Sequence, residues 1–119
     1  MALSKVGLGT VTRVAIGSTV SVLTVGSAKT CYIRSVVIHN IDTINSNTVK
    51  VHIVPNSGGS TGTASSINQL AQLSIQPLDT YFFELAYPIT LSSDNDTIQV
   101  YNSSTTDAVN VLILGDKEV

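Results

Sequence analysis

The sequence predicts an all-β domain, an antiparallel β-sandwich of jelly-roll-like or immunoglobulin-like type with about eight strands. β-branched residues are abundant, and Ser and Thr together make up about a quarter of the 119 residues. Stiff β-branched side chains favour a pleated surface over a helix. Short apolar or alternating segments recur with turn residues between them, as in sandwiches and barrels. No amphipathic helix of adequate length separates these segments, which excludes a parallel α/β fold.

The first half of the chain contains four predicted strands, each ended by Gly, Ser, Asn or Pro. They cover residues 10–16, 19–25, 30–40 and 48–54. In the fourth, Val49, Val51 and Ile53 alternate with Lys50 and His52, which is the period of a half-buried strand. A Gly/Ser/Thr-rich loop over residues 56–66 follows Pro55, and it has the composition of the most flexible segment.

The second half begins with residues 67–75, where the spacing of Leu70, Ala71 and Leu73 leaves a helix as an alternative. We favour a strand, because the neighbouring segments are all strand-like. Further strands are predicted over residues 80–85, 89–91, 97–102 and 108–114, with polar turns at 92–96 and 103–107. Gly115 is expected to end the last strand and to leave a charged tail.

The predicted organisation is one sandwich domain over residues 10–119, preceded by an N-terminal arm over residues 1–9. The length suits a single domain with a buried core. The arm contains Gly7 and Gly9 and shows little periodicity. We therefore expect it to extend to a neighbouring subunit rather than to pack on its own domain.

Charge is sparse: 12% of residues are charged and the net charge is -2. The cations are scattered, at Lys5, Arg13, Lys29, Arg34, Lys50 and Lys117. Without a basic stripe to neutralise phosphates, nucleic acid is excluded as a partner. Such a surface is either covered with Ser, Thr and Asn or buried against other subunits, and composition alone leaves both alternatives open.

Neither the N-terminus nor the rest of the sequence resembles a targeting or membrane segment. Met1–Lys5 has no apolar region of signal-peptide length, and no apolar stretch approaches the length of a transmembrane helix. We expect synthesis in a host cytoplasm and no membrane partner. Cys31 is the only cysteine, which excludes an intrachain disulfide and favours an inert core thiol.

Candidate metal sites are incomplete in the sequence. His39 and His52 would approach each other if their strands were neighbours, but no third ligand is indicated. The turn Asp94-Asn95-Asp96 lacks the Gly and the later Glu of a calcium loop, so an Asx-type turn is favoured. We expect no metal and no cofactor.

Candidate catalytic groups are incomplete as well. Cys31 could pair with a histidine, but no orienting partner can be assigned, and no Gly-x-Ser-x-Gly motif is present. Asp79 and Glu84 would project to opposite faces of one strand, unlike the paired carboxylates of a glycosidase. We therefore predict no catalytic residues and a protein that is not an enzyme.

Half of the aromatic residues are concentrated at Tyr81, Phe82 and Phe83. On a strand Phe82 faces one way while Tyr81 and Phe83 face the other, so that one side is core and the other is either core or an interface anchor. The candidate interface residues are Leu3, Val6, Leu8, Tyr81 and Phe83.

Residues 20–40 resemble a pattern common in small virion proteins of tailed bacteriophages. There a tight turn is followed by Lys-Thr and by an Ile/Val-Arg-Ser-Ile/Val-x-Ile/Val-x-Asn strand. The match is carried by Lys29, Thr30, Ile33, Arg34, Ser35, Val36, Ile38 and Asn40. Residues 49–55, 78–85, 88–91, 96–101 and 108–115 resemble the later strands. The turn departs from the usual Pro-Ala-Gly-like sequence, because Gly26-Ser27-Ala28 stands there.

The resemblance implies a β-sandwich assembled on a phage particle, either as a capsid decoration (cement) protein or as a tail component. We expect a decoration protein that binds the major capsid protein at the outer surface of the virion shell and stabilises it. We also expect a homo-oligomer, with a trimer favoured over a dimer because quasi-threefold positions repeat across icosahedral shells. A tail, baseplate or head–tail accessory protein and a carbohydrate-binding module are the alternatives.

Overall fold

Alternating apolar segments form two antiparallel sheets in the computed structural model, which describes residues 3–7, 10–26 and 29–118. Within those ranges the strands are β1 (Leu3–Gly7), β2 (Thr12–Val14), β3 (Thr19–Thr24), β4 (Cys31–Asn40), β5 (Asn47–Val54), β6 (Gln69–Ile75), β7 (Thr80–Leu91), β8 (Thr97–Asn102) and β9 (Val109–Glu118). A 3-10 helix, Ser66–Asn68, precedes β6. The predicted strand over residues 67–75 is therefore confirmed from Gln69 onwards.

The order of the strands identifies the topology. Sheet A has the order β1-β9-β4-β7, with β2 also paired to β9, and sheet B has the order β3-β8-β5-β6. The antiparallel pairs are nested: β5 pairs with β6, β4 with β7, β3 with β8, and β2 with β9. A long hairpin rolled up in this way is the double-sheet jelly roll. The predicted β-sandwich is thus confirmed.

The core lies between the sheets and contains the side chains that alternate towards the interior. Val36 and Ile38 of β4 face Val49 and Val51 of β5 across it, and all four are at most 2% exposed. Burying each such side chain contributes about 1.5–3 kcal/mol. Ile53, which alternates with Val49 and Val51 in the sequence, is only partly buried against this core.

Two buried asparagines end strands at the same end of the sandwich. The Asn40 amide donates to the carbonyl oxygens of Asn45 and Ile75, at 3.0 and 3.1 Å. The Asn102 amide donates to those of Val14 and Asp107, at 3.1 and 3.0 Å. Both side chains therefore hold adjoining loops, and this is a physical reason for an Asn at the end of each strand.

The last strand is longer than the sequence predicted. Gly115 does not end β9, which continues to Glu118 and pairs with β1 along this extension. The expected charged tail is therefore mostly strand. Gly115 lies so close to β4 that a Cβ atom there would be 2.1 Å from the Tyr32 carbonyl oxygen. The glycine permits close approach of two strands instead of ending one.

Residues 80–85 and 89–91 were predicted as separate strands but belong to β7. Ser35 pairs with Glu84 and Ile33 pairs with Ile89, so that residues 85–88 form a bulge opposite Arg34. A bulge bends and twists a strand without ending the sheet. This bulge accommodates Pro88, which cannot donate to a ladder.

The predicted N-terminal arm contains a strand of the same domain. Leu3–Gly7 form β1, in register with residues 114–118 of β9. This differs from an arm that extends away from its own domain, because the edge of β9 beyond β2 offers this segment a ladder partner. The remaining arm residues 1, 2, 8 and 9 lie outside the described residues.

Candidate interaction surface

The outer face of sheet B is polar. One row runs across the four strands as Thr19, Tyr101, Lys50 and Gln72. The Lys50 ammonium lies 5.9 Å from the centroid of the Tyr101 ring, which is a cation–π distance. This row has the composition of a face that remains in water.

The Gly/Ser/Thr-rich loop covers the other half of that face. The Gln99 amide donates to the Gly62 carbonyl oxygen at 3.0 Å, and the Asn95 amide donates to that of Gly59 at 2.7 Å. His52, 5% exposed, has its Nδ1 atom 3.1 Å from the Ser65 carbonyl oxygen. The loop with the most flexible composition is therefore held by specific hydrogen bonds.

The outer face of sheet A has a different character. Val37 of β4 pairs with Phe82 of β7 on one side and with Leu112 of β9 on the other. These three residues form the apolar row, which occupies the centre of the face. Phe82 is 62% exposed, whereas Val37 and Leu112 are partly buried. Since Val111 and Ile113 face the core, alternation places Leu112 outside.

Two further apolar side chains enlarge this surface. Leu114 pairs with Ser35 in the adjacent row and is 36% exposed. Val11, 60% exposed, immediately precedes β2, whose register would place it opposite Leu112. Contiguous exposed apolar area of this kind is typical of interaction sites.

Charged groups lie around the apolar row. Glu84 is opposite Ser35 at the edge of sheet A, and Arg13 pairs with Asn110 at the other side. The Arg34 Nε atom donates to Asp116 at 2.9 Å, in an ion pair whose carboxylate is largely buried. An apolar centre with a charged rim is the usual anatomy of a protein interface.

The predicted interface residues have different positions. Tyr81 is 39% exposed, but Phe83 packs against the core, which leaves Phe82 as the most exposed of the three consecutive aromatics. Leu3 and Val6 lie in β1, and Leu8 lies outside the described residues. The sequence pattern did not identify Val37 and Leu112, because each lies in a segment that is apolar on both faces.

The two histidines are held apart, because β4 and β5 belong to different sheets. The His39 Nδ1 atom is 2.9 Å from the Thr80 hydroxyl, while His52 contacts the loop over sheet B. Over the described ranges, no group of three or more His, Cys, Asp or Glu residues could hold a metal ion. Nor does any helix described there have the length and apolar character needed to cross a membrane.

The other candidate groups have structural contacts. Asp96 accepts hydrogen bonds from the backbone amides of Asn56 and Ser93, at 2.9 and 3.2 Å, and Asn95 has a φ of 64°. A turn is thus confirmed, with the Asp96 amide donating to the Ser93 carbonyl oxygen at 3.1 Å, but the Asp96 carboxylate accepts from an earlier and a distant amide instead of forming an Asx-type turn. Burial raises the pKa of the Cys31 thiol, which disfavours the nucleophilic thiolate. Asp79 precedes β7 and accepts from the Thr80 amide, so it does not face Glu84 as a paired carboxylate.

A polar groove of about 330 Å³ lies between the loops at the Asn40 end of the sandwich. Its lining consists of Asn45, Ser46, Thr48, Ser103, Ser104, Thr105 and Thr106. No aromatic side chain is among these lining residues. The groove therefore lacks the stacking platform that aromatic rings give to ligand sites.

Comparisons with known proteins found distant structural similarity. No protein-family model matches the chain, and no curated protein matches it. A chain in a structure of infectious bursal disease virus, Gx strain, is similar with a TM-score of 0.47 at 6% identity. A chain of the T13 particle of that virus gives 0.45 at 5% identity. The present chain is covered to 98% in both comparisons but spans only 32% and 34% of those chains.

A smaller protein is also similar in structure. It forms the virus-like particle of the extra small virus of the prawn Macrobrachium rosenbergii, with a TM-score of 0.37 at 13% identity. In that comparison 98% of the present chain and 79% of the other chain are covered. The similar structures named here all come from viral or virus-like particles.

Proposed function

We propose that the chain is a structural protein of a virion, a capsid decoration protein that binds the outer surface of the assembled shell and stabilises it. The observation that supports this most directly is the contrast between the two outer faces. A row on sheet B reads Thr19, Tyr101, Lys50 and Gln72, whereas the apolar row on sheet A reads Phe82, Val37 and Leu112. One face is suited to water and the other to a partner.

The apolar row is the surface that would contact the major capsid protein. Removing apolar area from water contributes roughly 25 cal/mol per Å², and aromatic anchors contribute most at the centre of an interface. Phe82 is such an anchor, with 62% of its surface available for burial. Binding across several capsid subunits would slow release even if each contact were modest.

The fold and the sequence resemblance agree with this proposal. Double-sheet jelly rolls are frequent in viral capsid and lectin domains, although a fold alone does not define a function. The resemblance to small phage virion proteins supports a structural role on a particle. A carbohydrate-binding module is less favoured, because the described lining of the polar groove contains no aromatic ring. We propose a binding role without catalysis.

The copy number and location of the chain in purified particles test the proposal. A decoration protein would be present in hundreds of copies on the shell. A dozen copies or fewer, located at the tail, would support the alternative of a tail, baseplate or head–tail accessory protein and would contradict decoration.

A matched pair of variants tests the surface. Leu112→Lys adds a charge to the apolar row, and Gln72→Lys adds the same charge to the outer row of sheet B. We expect Leu112→Lys to lower the affinity for shells lacking the chain by about tenfold or more, equivalent to about 1.4 kcal/mol, whereas Gln72→Lys binds normally. Equal occupancy of the two folded variants would exclude the apolar row as the contact.

A further inference from the structure

The outer edge of β7 has no ladder partner among the described residues. β7 ends the order of sheet A and, within the described ranges, pairs only with β4. An uncovered edge presents backbone N–H and C=O groups that can pair with another strand. Natural edges are often protected by Lys, Pro or a bulge. In β7 the bulge and Pro88 protect the second half, whereas Thr80–Glu84 are regular and include no Lys or Pro.

Two exposed aromatics lie in this regular segment, and a third, Tyr87, lies in the bulge. Phe82 is 62% and Tyr81 39% exposed. The other described edges differ: β1 contains Lys5, β2 has only three residues, β3 has a register shift between Ser21 and Leu23, and β6 presents Gln72 and Ser74. Aromatic side chains are enriched at the centres of interfaces, whereas polar side chains such as those of Gln72 and Ser74 are not. The first half of β7 is therefore the described edge best suited to a partner.

We propose that this edge pairs antiparallel with the same edge of a second copy, giving a two-fold dimer with a continuous sheet A. The regular ladder between β4 and β7 runs from Thr80 to Glu84, so Phe82 is its centre. Pairing about Phe82 uses all five positions and ends before the bulge. In antiparallel pairing, directly opposed residues lie on the same face of the sheet. In this register Thr80 is opposed to Glu84 and Tyr81 to Phe83, and the two members of each pair lie on the same face.

The register is also compatible in charge and packing. Glu84 would lie opposite Thr80 of the second copy, which keeps the two carboxylates apart. Tyr81 would lie opposite Phe83, and Phe82 would lie opposite its own copy at the dyad. The resulting cross-strand aromatic pairs contribute roughly 0.2–1 kcal/mol each beyond an Ala pair. The apolar rows of the two copies would then join across the dyad.

The proposed dimer differs from the trimer favoured from the sequence, because antiparallel pairing of one edge with itself has two-fold symmetry. The inference concerns the isolated protein and does not depend on shell binding. Sedimentation equilibrium should give twice the 12.5 kDa chain mass for the wild type. Phe82→Lys, which places a charge at the dyad and protects the edge, should give the monomer mass.

Cysteine substitution tests the register. Phe82→Cys should form an intermolecular disulfide under mild oxidation, because directly opposed Cβ atoms are about 4.5–5.5 Å apart, near the range a disulfide spans. The double variant Thr80→Cys with Glu84→Cys should also crosslink, whereas Thr80→Cys alone should not. Ser74→Cys, exposed on the edge strand β6, is the matched control.

Each result bears on the proposal. A wild-type protein that sediments as a monomer or trimer would overturn it, as would crosslinking of Ser74→Cys equal to that of Phe82→Cys. Crosslinking of Thr80→Cys alone would overturn the register. A monomeric protein that still occupies particles would refute the dimer while leaving the proposed decoration function intact.

Discussion

The Thr106 hydroxyl donates a hydrogen bond to the Asp42 carboxylate and so joins the loop after β4 to the loop after β8. The backbone amides of Ile44 and Asn45 donate to the same carboxylate, at 2.9 and 3.0 Å. These hydrogen bonds lower the pKa of Asp42 from 3.8 to about 2, and the bond from Thr106 has the largest effect. Hydrogen bonds to the charged form favour it over the protonated form.

Stability should therefore decline in acid through Asp42. Because the pKa of Asp42 is lower in the folded state, its carboxylate stabilises the fold fully only at pH values above its ordinary pKa of 3.8. This contribution is lost as the pH falls towards about 2. Urea denaturation of the wild type and Asp42→Asn should show a stability gap at pH 6 that narrows between about pH 4 and pH 2. A gap that stays constant over that range would contradict this assignment, and Asp94→Asn controls for the loss of one exposed charge.

Gly115→Ala should weaken the pairing of β4 with β9. The new Cβ atom would lie 2.1 Å from the Tyr32 carbonyl oxygen, so the two strands would have to separate. We expect a loss of at least about 2 kcal/mol in the free energy of unfolding, measured by urea denaturation. Gly26→Ala is the control, because a Cβ atom there meets no described atom within 4 Å. A similar effect of the two substitutions would contradict the close approach of these strands.

The buried Asn47 side chain should limit stability. It is 1% exposed, and neither of its amide atoms has a hydrogen-bond partner among the described residues. Replacement by the similarly shaped Leu should raise the free energy of unfolding by about 1–2 kcal/mol, because an unsatisfied buried amide is costly.

Asn102→Leu is the matched comparison for Asn47→Leu. Asn102 is equally buried, but its amide donates to two carbonyl oxygens. That substitution should therefore lower stability by about 1–3 kcal/mol. Calorimetric unfolding should show a higher stability for Asn47→Leu and a lower stability for Asn102→Leu than for the wild type. Destabilisation by Asn47→Leu would contradict the prediction.

Leu78 occupies a strained position in the turn before β7. Its φ is 58°, and the Asp79 amide donates to the Gln76 carbonyl oxygen at 3.1 Å, so that Pro77 and Leu78 are the central residues of a turn. Positive φ at the second central position favours Gly. Leu78→Gly should stabilise the fold by roughly 1 kcal/mol, whereas Leu78→Ala, which keeps the strain, should not. Equal thermal midpoints for the two variants would refute this explanation.

Most of the fold could be predicted because its core strands alternate clearly. Val49, Val51 and Ile53 share one face, and this period alone indicates a half-buried strand. The turn at residues 94–96 was equally clear, because Asp and Asn are favoured in turns. The partner of each strand was not available from local patterns, since the nested pairs join segments far apart in the chain.

The missed features depend on contacts between such distant segments. Glycine is a residue that commonly ends strands, but Gly115 is needed because the Tyr32 backbone of β4 approaches it closely. The apolar row was missed because Val37 lies in the run Val36-Val37-Ile38, where local sequence cannot distinguish core from surface. Phe82 was correctly placed opposite Tyr81 and Phe83, yet only the sheet order shows that Phe83 packs against the core.

The central position of β9 also has a consequence for biosynthesis. β9 pairs with β1, β2 and β4, and so connects strands made early in translation to the last segment of the domain. All four strands of sheet B precede it in the chain. Sheet A therefore cannot close until β9 has left the ribosome, and such non-local pairing is intrinsically slow. Until then, the edge of β4 that pairs with β9 has no ladder partner.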